Sequence, residues 1–135
     1  MIVLDSSFLI ASHNTRDVHH ESANQAMTEL VAGRWGRALL LEYVFVEVAT
    51  VLLVRRGLRV AARVTAALLA SREIDFVPCS ELFLDVFRTF RDQGDGMLSF
   101  TDAAIVTVSR RDGGSFVATF DADFTGIDGV TVVPA

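Results

Sequence analysis

The chain contains no lysine; all 12 of its basic residues are arginine. Any mechanism that needs a lysine is thereby excluded, and a GC-rich genome is the simple explanation of the bias. Cysteine is almost as scarce. Cys79 stands alone, so no internal disulfide can form, and a cytoplasmic protein is expected. No apolar run is long enough to span a bilayer, because Arg, Glu or Gly interrupts each one, so no membrane association is expected. The opening Met1-Ile2-Val3-Leu4-Asp5 lacks the basic start and longer apolar region of a signal peptide. Positive charge is in deficit, with a formal net charge of −5. That argues against gripping nucleic acid by bulk positive charge. It leaves room for a nucleic-acid enzyme that uses divalent cations, which reverse the local sign of an acidic pocket. Neither GxGxxG nor a P-loop occurs, and Asp5-Ser6-Ser7 stands where a Gly-rich loop would be needed.

What is present is a hydrophobic chain: 135 residues, 51% of them apolar, enough for one compact domain over 1–135 with a real core. Short apolar runs predict strands at Ile2–Leu4, Ala38–Leu41, Ile74–Pro78, Phe116–Thr119 and Val130–Val133. Between them, helical spacing predicts helices from Ser6-Ser7 through Ala11, His19–Ala32, Tyr43–Arg56, Leu58–Ser71, Ser80–Gln93 and Thr101–Arg111. Ser6-Ser7 and Ser80 are the expected caps, and Val60, Val64, Ala67 and Leu68 the expected inward face of the fourth helix. His13 to Asp17 reads as a loop. Alternation of strand and helix argues for an α/β fold with a parallel sheet covered on both faces, whose site lies beyond the carboxyl ends of the strands.

Four acids sit at the edges of these apolar runs: Asp5, Glu47, Asp102 and Asp121, with Asp123 two residues on. Each also has a plain structural reading. Asp5 fits a helix cap, Ser99-Phe100-Thr101-Asp102 fits a capping box, and Asp121 and Asp123 fit a turn ahead of Phe124. Glu47 is harder to place so, because its helical neighbours Tyr43, Val44, Thr50 and Val51 make a largely apolar face. A partly buried acid there needs a partner. No lysine exists to supply it, and the arginines lie at the far end of the helix; a metal ion is suitable. Two carboxylates about 4 Å apart repel by roughly 4 kcal/mol at an effective dielectric near 20, so a cluster needs a cation or a retained proton. Oxygen-only ligands suit Mg²⁺ or Mn²⁺. Zinc does not fit: Cys79 is single, and His13, His19 and His20 belong to an exposed loop and helix start.

The segments Val3-Leu4-Asp5-Ser6-Ser7-Phe8-Leu9-Ile10, Glu42-Tyr43-Val44-Phe45-Val46-Glu47, Ser99-Phe100-Thr101-Asp102-Ala103 and Ala118-Thr119-Phe120-Asp121-Ala122-Asp123-Phe124 occur in that order across nearly the whole chain. Together they resemble the PIN-domain nucleases, most closely the VapC-type toxins of toxin–antitoxin pairs. The resemblance implies a PIN-like three-layer α/β/α sandwich with a central parallel sheet. It implies Asp5, Glu47, Asp102 and Asp121 as the acidic site, with Asp5, Asp102 and Asp121 on the metal. Asp123 is an extra or substitute acid, and Ser7 supports the first Asp. Glu42 is not assigned as a ligand. Mg²⁺ or Mn²⁺, an RNA substrate, a homodimer and a cognate antitoxin are implied as well.

On this reading Asp5 and Asp102 are the first choice for direct ligands, while Glu47 and Asp121 complete the cluster through water or as base. Arg55, Arg56, Arg59 and Arg63 gather around Gly57, where a solvated face and a phosphate or partner contact are equal readings. The apolar helices between Tyr43 and Ala70 carry more hydrophobic surface than a small monomer hides, which supports a homodimer and a groove for an antitoxin segment. Two rivals remain. Phosphoryl-transfer domains of the response-regulator or dehalogenase kind also place an Asp at a strand end. By resemblance they need a lysine, and the dehalogenase kind needs a second Asp where Ser7 stands. A catalytically silent PIN-fold binding module is the other.

Overall fold

Ile2–Leu4 (β1) is a run of branched apolar residues with every side chain buried, the pattern of a strand covered on both faces. The computed structural model describes residues 1–135. β1 pairs in parallel with Ala38–Leu41 (β2) on one side and Ser115–Ala118 (β4) on the other; Ile74–Val77 (β3) and Val130–Val133 (β5) form the edges. The all-parallel order is β3-β2-β1-β4-β5. Successive strands therefore run outward from β1 in one direction, then restart beside it in the other. The gap beyond the carboxyl ends of β1 and β4 is the switch point where such sheets form sites.

Six helices make the connections: α1 (Ser6–His13), α2 (His20–Val31), α3 (Glu42–Arg56), α4 (Leu58–Ala70), α5 (Phe83–Arg91) and α6 (Phe100–Arg111). α1 packs on α2 and α3, and α3 on α4; α5 packs on α6, which lies along β1, β4 and β5. Right-handed crossovers set the two groups on opposite faces, giving the three-layer α/β/α sandwich. One core of 31 buried residues joins sheet and helices through Phe8, Leu9, Val48, Ile105 and Phe124. Burying a Phe side chain contributes roughly 1.5–3 kcal/mol. Phe8 thus pins α1 to the sheet directly after Asp5-Ser6-Ser7, which fixes where those polar groups point. β2 runs into α3 without a loop, and Glu42 at that joint accepts a 2.9 Å bond from the Cys79 N–H beyond β3. Glu42 thus braces the start of α3 against the segment after β3. Gly57, at φ 85°, ends α3 and starts α4 in a conformation closed to most side chains.

Several local expectations need correction. Ser6 is not a cap: it lies inside α1, and its hydroxyl is taken by Glu47. Ser80 caps nothing; Ser80–Leu82 is a separate 3₁₀ turn, and α5 begins at Phe83. Ala67 is exposed, and Ala61 takes its place with Val64 and Leu68 on the buried face of α4. The expected loop begins one residue late, because α1 continues through His13. The other element ends move by only one or two residues, within ordinary fraying.

Candidate active site

Asp5 follows β1 directly, and its N–H donates to the Ala118 carbonyl at 3.0 Å, continuing the ladder to β4. The residue is 3% exposed. It stands at the cap position of α1, yet its side chain makes no capping bond to the helix's first turn beyond Ser6. Oδ2 instead accepts from Ser7 Oγ at 2.9 Å and from Thr119 Oγ1 at 2.7 Å. Those hydroxyls are themselves oriented from behind: the Phe120 N–H donates to Ser7 Oγ at 3.0 Å, and the Asp121 N–H to Thr119 Oγ1 at 2.9 Å. The exits of β1 and β4 are therefore laced together through two hydroxyls. Burial pushes the Asp5 carboxyl above its ordinary range, against hydrogen bonds from Thr119, Ser7 and the Ser6 backbone; the negative charge of Glu47 adds to the rise.

Glu47, half-buried in the second turn of α3, accepts the Ser6 hydroxyl. Its partner among protein groups is thus a neutral donor, not a cation. Asp102 lies in the first turn of α6 and closes the expected capping box: its N–H donates to Ser99 Oγ at 3.1 Å, and its Oδ2 accepts from the Ser99 N–H at 3.2 Å. Its carboxyl is pushed up to about 6, chiefly by burial, with Ser99 opposing and the charges of Asp5 and Asp121 adding. Asp121 precedes a 3₁₀ turn at Ala122–Phe124 and accepts the Asp123 N–H at 2.9 Å.

Asp5, Glu47, Asp102 and Asp121 therefore share one electrostatic neighbourhood at the switch point. Asp123 does not join it in the same way. It is exposed and lines a separate cleft with Leu98, Val106, Arg110 and Ile127. Arg55 lines the cleft that contains Ser6, Ser7 and Glu47. Arg56 instead donates to Asn14 Oδ1 at 3.1 Å, while Arg59 and Arg63 are exposed on α4 and lie outside that cleft. Of the four arginines, Arg55 alone lines that cleft.

The donor set fits a hard divalent cation. All four groups are carboxylates, and the chain's ion pairs, Arg34–Glu29, Arg37–Asp75, Arg88–Asp85 and Arg91–Asp92, leave every one of them without a cation. The hydrogen bonds from neighbouring side chains, and the two cap bonds, fall on one oxygen of each carboxylate. As the side chains stand, no three acidic, His or Cys groups converge on one metal-sized point. Asp102 and Asp121 each place one oxygen on a cap N–H group, and Glu47 places one on Ser6.

Sequence reasoning overlooked Ser6, Thr119 and His19. Ser6 was hidden behind its reading as a cap, although a hydroxyl just after a strand-end Asp is a signal in itself. Thr119 reads from the sequence as the last residue of the fourth strand. Nothing in the sequence places His19 beside Phe120, where the rings lie 4.3 Å apart.

The family model described as PIN domain matches residues 2–130. Among solved structures, VapC20 of Mycobacterium tuberculosis, a toxin that cleaves the sarcin–ricin loop, superposes with a TM-score of 0.78. Identity is 26%, covering 91% of this chain and 92% of that one. VapBC2 of Rickettsia felis, bound to a promoter DNA fragment, gives 0.71 at 13% identity over 98% and 97% of the two chains. FitAcB of Neisseria gonorrhoeae gives 0.59 at 14% identity over 91% and 89%. The last two show likeness of fold alone. No curated protein matches the chain by sequence.

Proposed function

The chain belongs to the PIN domain family, and from that premise we propose that it is a divalent-metal-dependent endoribonuclease and the toxin of a toxin–antitoxin pair. The observation that carries the reading is Asp5. A nearly buried carboxylate at the central strand's end, raised in pKa by burial, with the charges of Glu47 and Asp102 acting on it and no basic partner, supports a cation site. The likeness to a ribosome-cleaving toxin supports RNA as the substrate class.

Asp5, Asp102 and Asp121 would hold Mg²⁺, or Mn²⁺, through oxygen atoms. The bound ion would act as a Lewis acid, lowering the pKa of water and countering charge on the phosphate. Ser7 and Thr119 hold Asp5 Oδ2, so the orientation of this carboxylate is set before substrate arrives. Ser6 fixes Glu47 Oε1 and leaves Oε2 to accept a proton from the attacking water. Arg55, which lines the same cleft as Ser7 and Glu47, would meet a phosphate of the RNA.

A cognate antitoxin and a homodimer belong to the same reading. Val46, Leu53, Val54, Leu58 and Leu69 are exposed apolar residues on α3 and α4, which a second copy or an antitoxin segment would cover. No helix is long and apolar enough to cross a membrane, and the free, buried Cys79 suits a cytoplasmic place of action.

One observation favours the silent binding module: Asp102 and Asp121 both serve as caps and have structural work without a metal. Two measurements decide. Total RNA incubated with the protein and Mg²⁺ should give discrete ends that an Asp5→Asn variant does not produce. Calorimetry should show Mg²⁺ or Mn²⁺ binding that Asp102→Asn loses. Cleavage by Asp5→Asn at the wild-type rate sinks the site assignment, and absence of both cleavage and metal binding in the wild type leaves the binding module.

A further inference from the structure

Three aromatic rings form a column from the core to the acidic cleft. Phe8, fully buried, stacks on Phe120 with centroids 6.3 Å apart and planes 25° from parallel. Phe120, half-buried, stacks on His19 at 4.3 Å and 5°. His19 is exposed, so one face of its imidazole is covered by Phe120 while the residue still meets solvent. His19 and Phe120 line the same cleft as Ser7, Glu47 and Arg55.

We propose that His19 is the outer plane of a nucleobase platform, on which one base of a single-stranded RNA stacks beside the acidic site. The proposal rests on the nuclease reading above and adds to it the residue that seats the substrate. Stacking on His, Phe, Tyr or Trp is how unpaired RNA bases are commonly held, and it tolerates any base because every base has a π face.

The column suits that task for three reasons. It is stiff: Phe8 anchors one end in the core, and the His19 N–H is tied to Asp17 Oδ1 at 2.8 Å. It is in register with the site: the Phe120 N–H donates to Ser7 Oγ, which donates to Asp5, and Asp121 is the next residue. A base laid on His19 is thereby positioned relative to the carboxylates through two hydrogen bonds and one peptide unit. It also has a charge partner, because Arg55 in the same cleft can take a backbone phosphate while the ring takes the base. Neither Asp17 nor Glu47 would attract RNA, which leaves stacking and Arg55 as the favourable contacts on this wall.

The test uses short single-stranded RNAs carrying 2-aminopurine at successive positions, bound to full-length protein in an Asp5→Asn background so that no cleavage intervenes. One label position should be quenched by stacking on the ring. His19→Leu keeps bulk but removes the π face. It should lose that quench and weaken binding about tenfold, the low-to-middle range for one base–aromatic contact. His19→Phe should restore both. With Asp5 intact, His19→Leu should raise KM far more than it lowers kcat. Unchanged binding and quench in His19→Leu overturn the platform, even if Tm falls, because the ring then only anchors α2. Loss of binding to a protein partner with RNA binding intact overturns it as well. These results are separable from failure of the nuclease reading, which is shown by a wild type that neither cleaves RNA nor binds Mg²⁺.

Discussion

Thr119 donates a 2.7 Å hydrogen bond to Oδ2 of Asp5 across 114 positions of sequence, with both residues buried. The bond joins the exits of two neighbouring parallel strands, and the Asp121 N–H orients the hydroxyl from behind. Asp5 is thus a held acceptor at a site where its charge is opposed by burial.

Removing that donor tests the arrangement. Thr119→Val keeps the shape and deletes the hydroxyl. Stability at neutral pH should fall by about 1.5–3 kcal/mol, the range for a hydrogen bond to a charged group, measured by urea unfolding. The Asp5 pKa should rise further, and the Mg²⁺ needed for half-maximal binding should increase. In an Asp5→Asn background the same substitution should cost less; equal costs in both backgrounds refute the coupling.

The acidic pair predicts an unusual pH profile. Burial raises the Asp102 carboxyl from 3.8 to about 6 in the folded protein, and Asp5 is raised as well. Folding therefore favours the protonated acids. Their contribution to stability is complete below pH 3.8 and is lost as pH climbs through about 6. Asp102→Asn should flatten this part of the metal-free Tm profile and raise Tm at pH 7 by about 3 °C, an effect of about 1 kcal/mol in a domain of this size. The amide oxygen can still accept the Ser99 N–H, so the cap is retained. A lower Tm at pH 7 for Asp102→Asn contradicts the account in which burial opposes the Asp102 charge.

Mg²⁺ should stabilise the protein in the opposite pH direction. Bound cation competes with protons for the carboxylates, so the Tm increase from saturating Mg²⁺ should be larger at pH 7 than at pH 5. Scanning calorimetry at both pH values checks it, and Asp5→Asn should abolish the difference. A metal effect independent of pH places the ion elsewhere.

The arginines around Gly57 should separate by position. Arg55 lines the acidic cleft, Arg56 is tied to Asn14, and Arg59 stands outside that cleft on α4. Arg55→Ala should weaken RNA binding and reduce the salt slope by about 1, while Arg59→Ala leaves both unchanged. Binding isotherms at several salt concentrations decide; equal effects restore a diffuse basic face.

The exposed apolar stretch on α3 and α4 predicts self-association. Val54 is 80% exposed on α3, beside Leu53 and near Leu58. Val54→Glu should shift the protein to a monomer in light scattering at micromolar concentration without unfolding it. A wild type already monomeric at that concentration rules out this surface as a stable dimer contact.

Much of the molecule was readable from residue order. Alternating short apolar runs and helical spacing determined every strand, every helix and the parallel α/β class, because burial period and chain stiffness are local properties. The same pattern marked Asp5, Glu47, Asp102 and Asp121, since an acid at the edge of a buried run is costly without a reason. Tertiary structure alone decided what those acids touch. Ser6 looked like a cap until α3 brought Glu47 to its hydroxyl, 41 positions away. Thr119 looked like strand until β4 paired with β1 and set it on Asp5. Asp121 and Asp123 are alike in sequence, and only the 3₁₀ turn, capped by Asp121 and containing Asp123, sets one near Asp102 and the other in a different cleft. His19 joined the site only because the loop before α2 laid its ring on Phe120, 101 positions along the chain. Local periodicity carries elements; contacts between distant segments depend on how those elements pack, and no spacing along one chain encodes that directly.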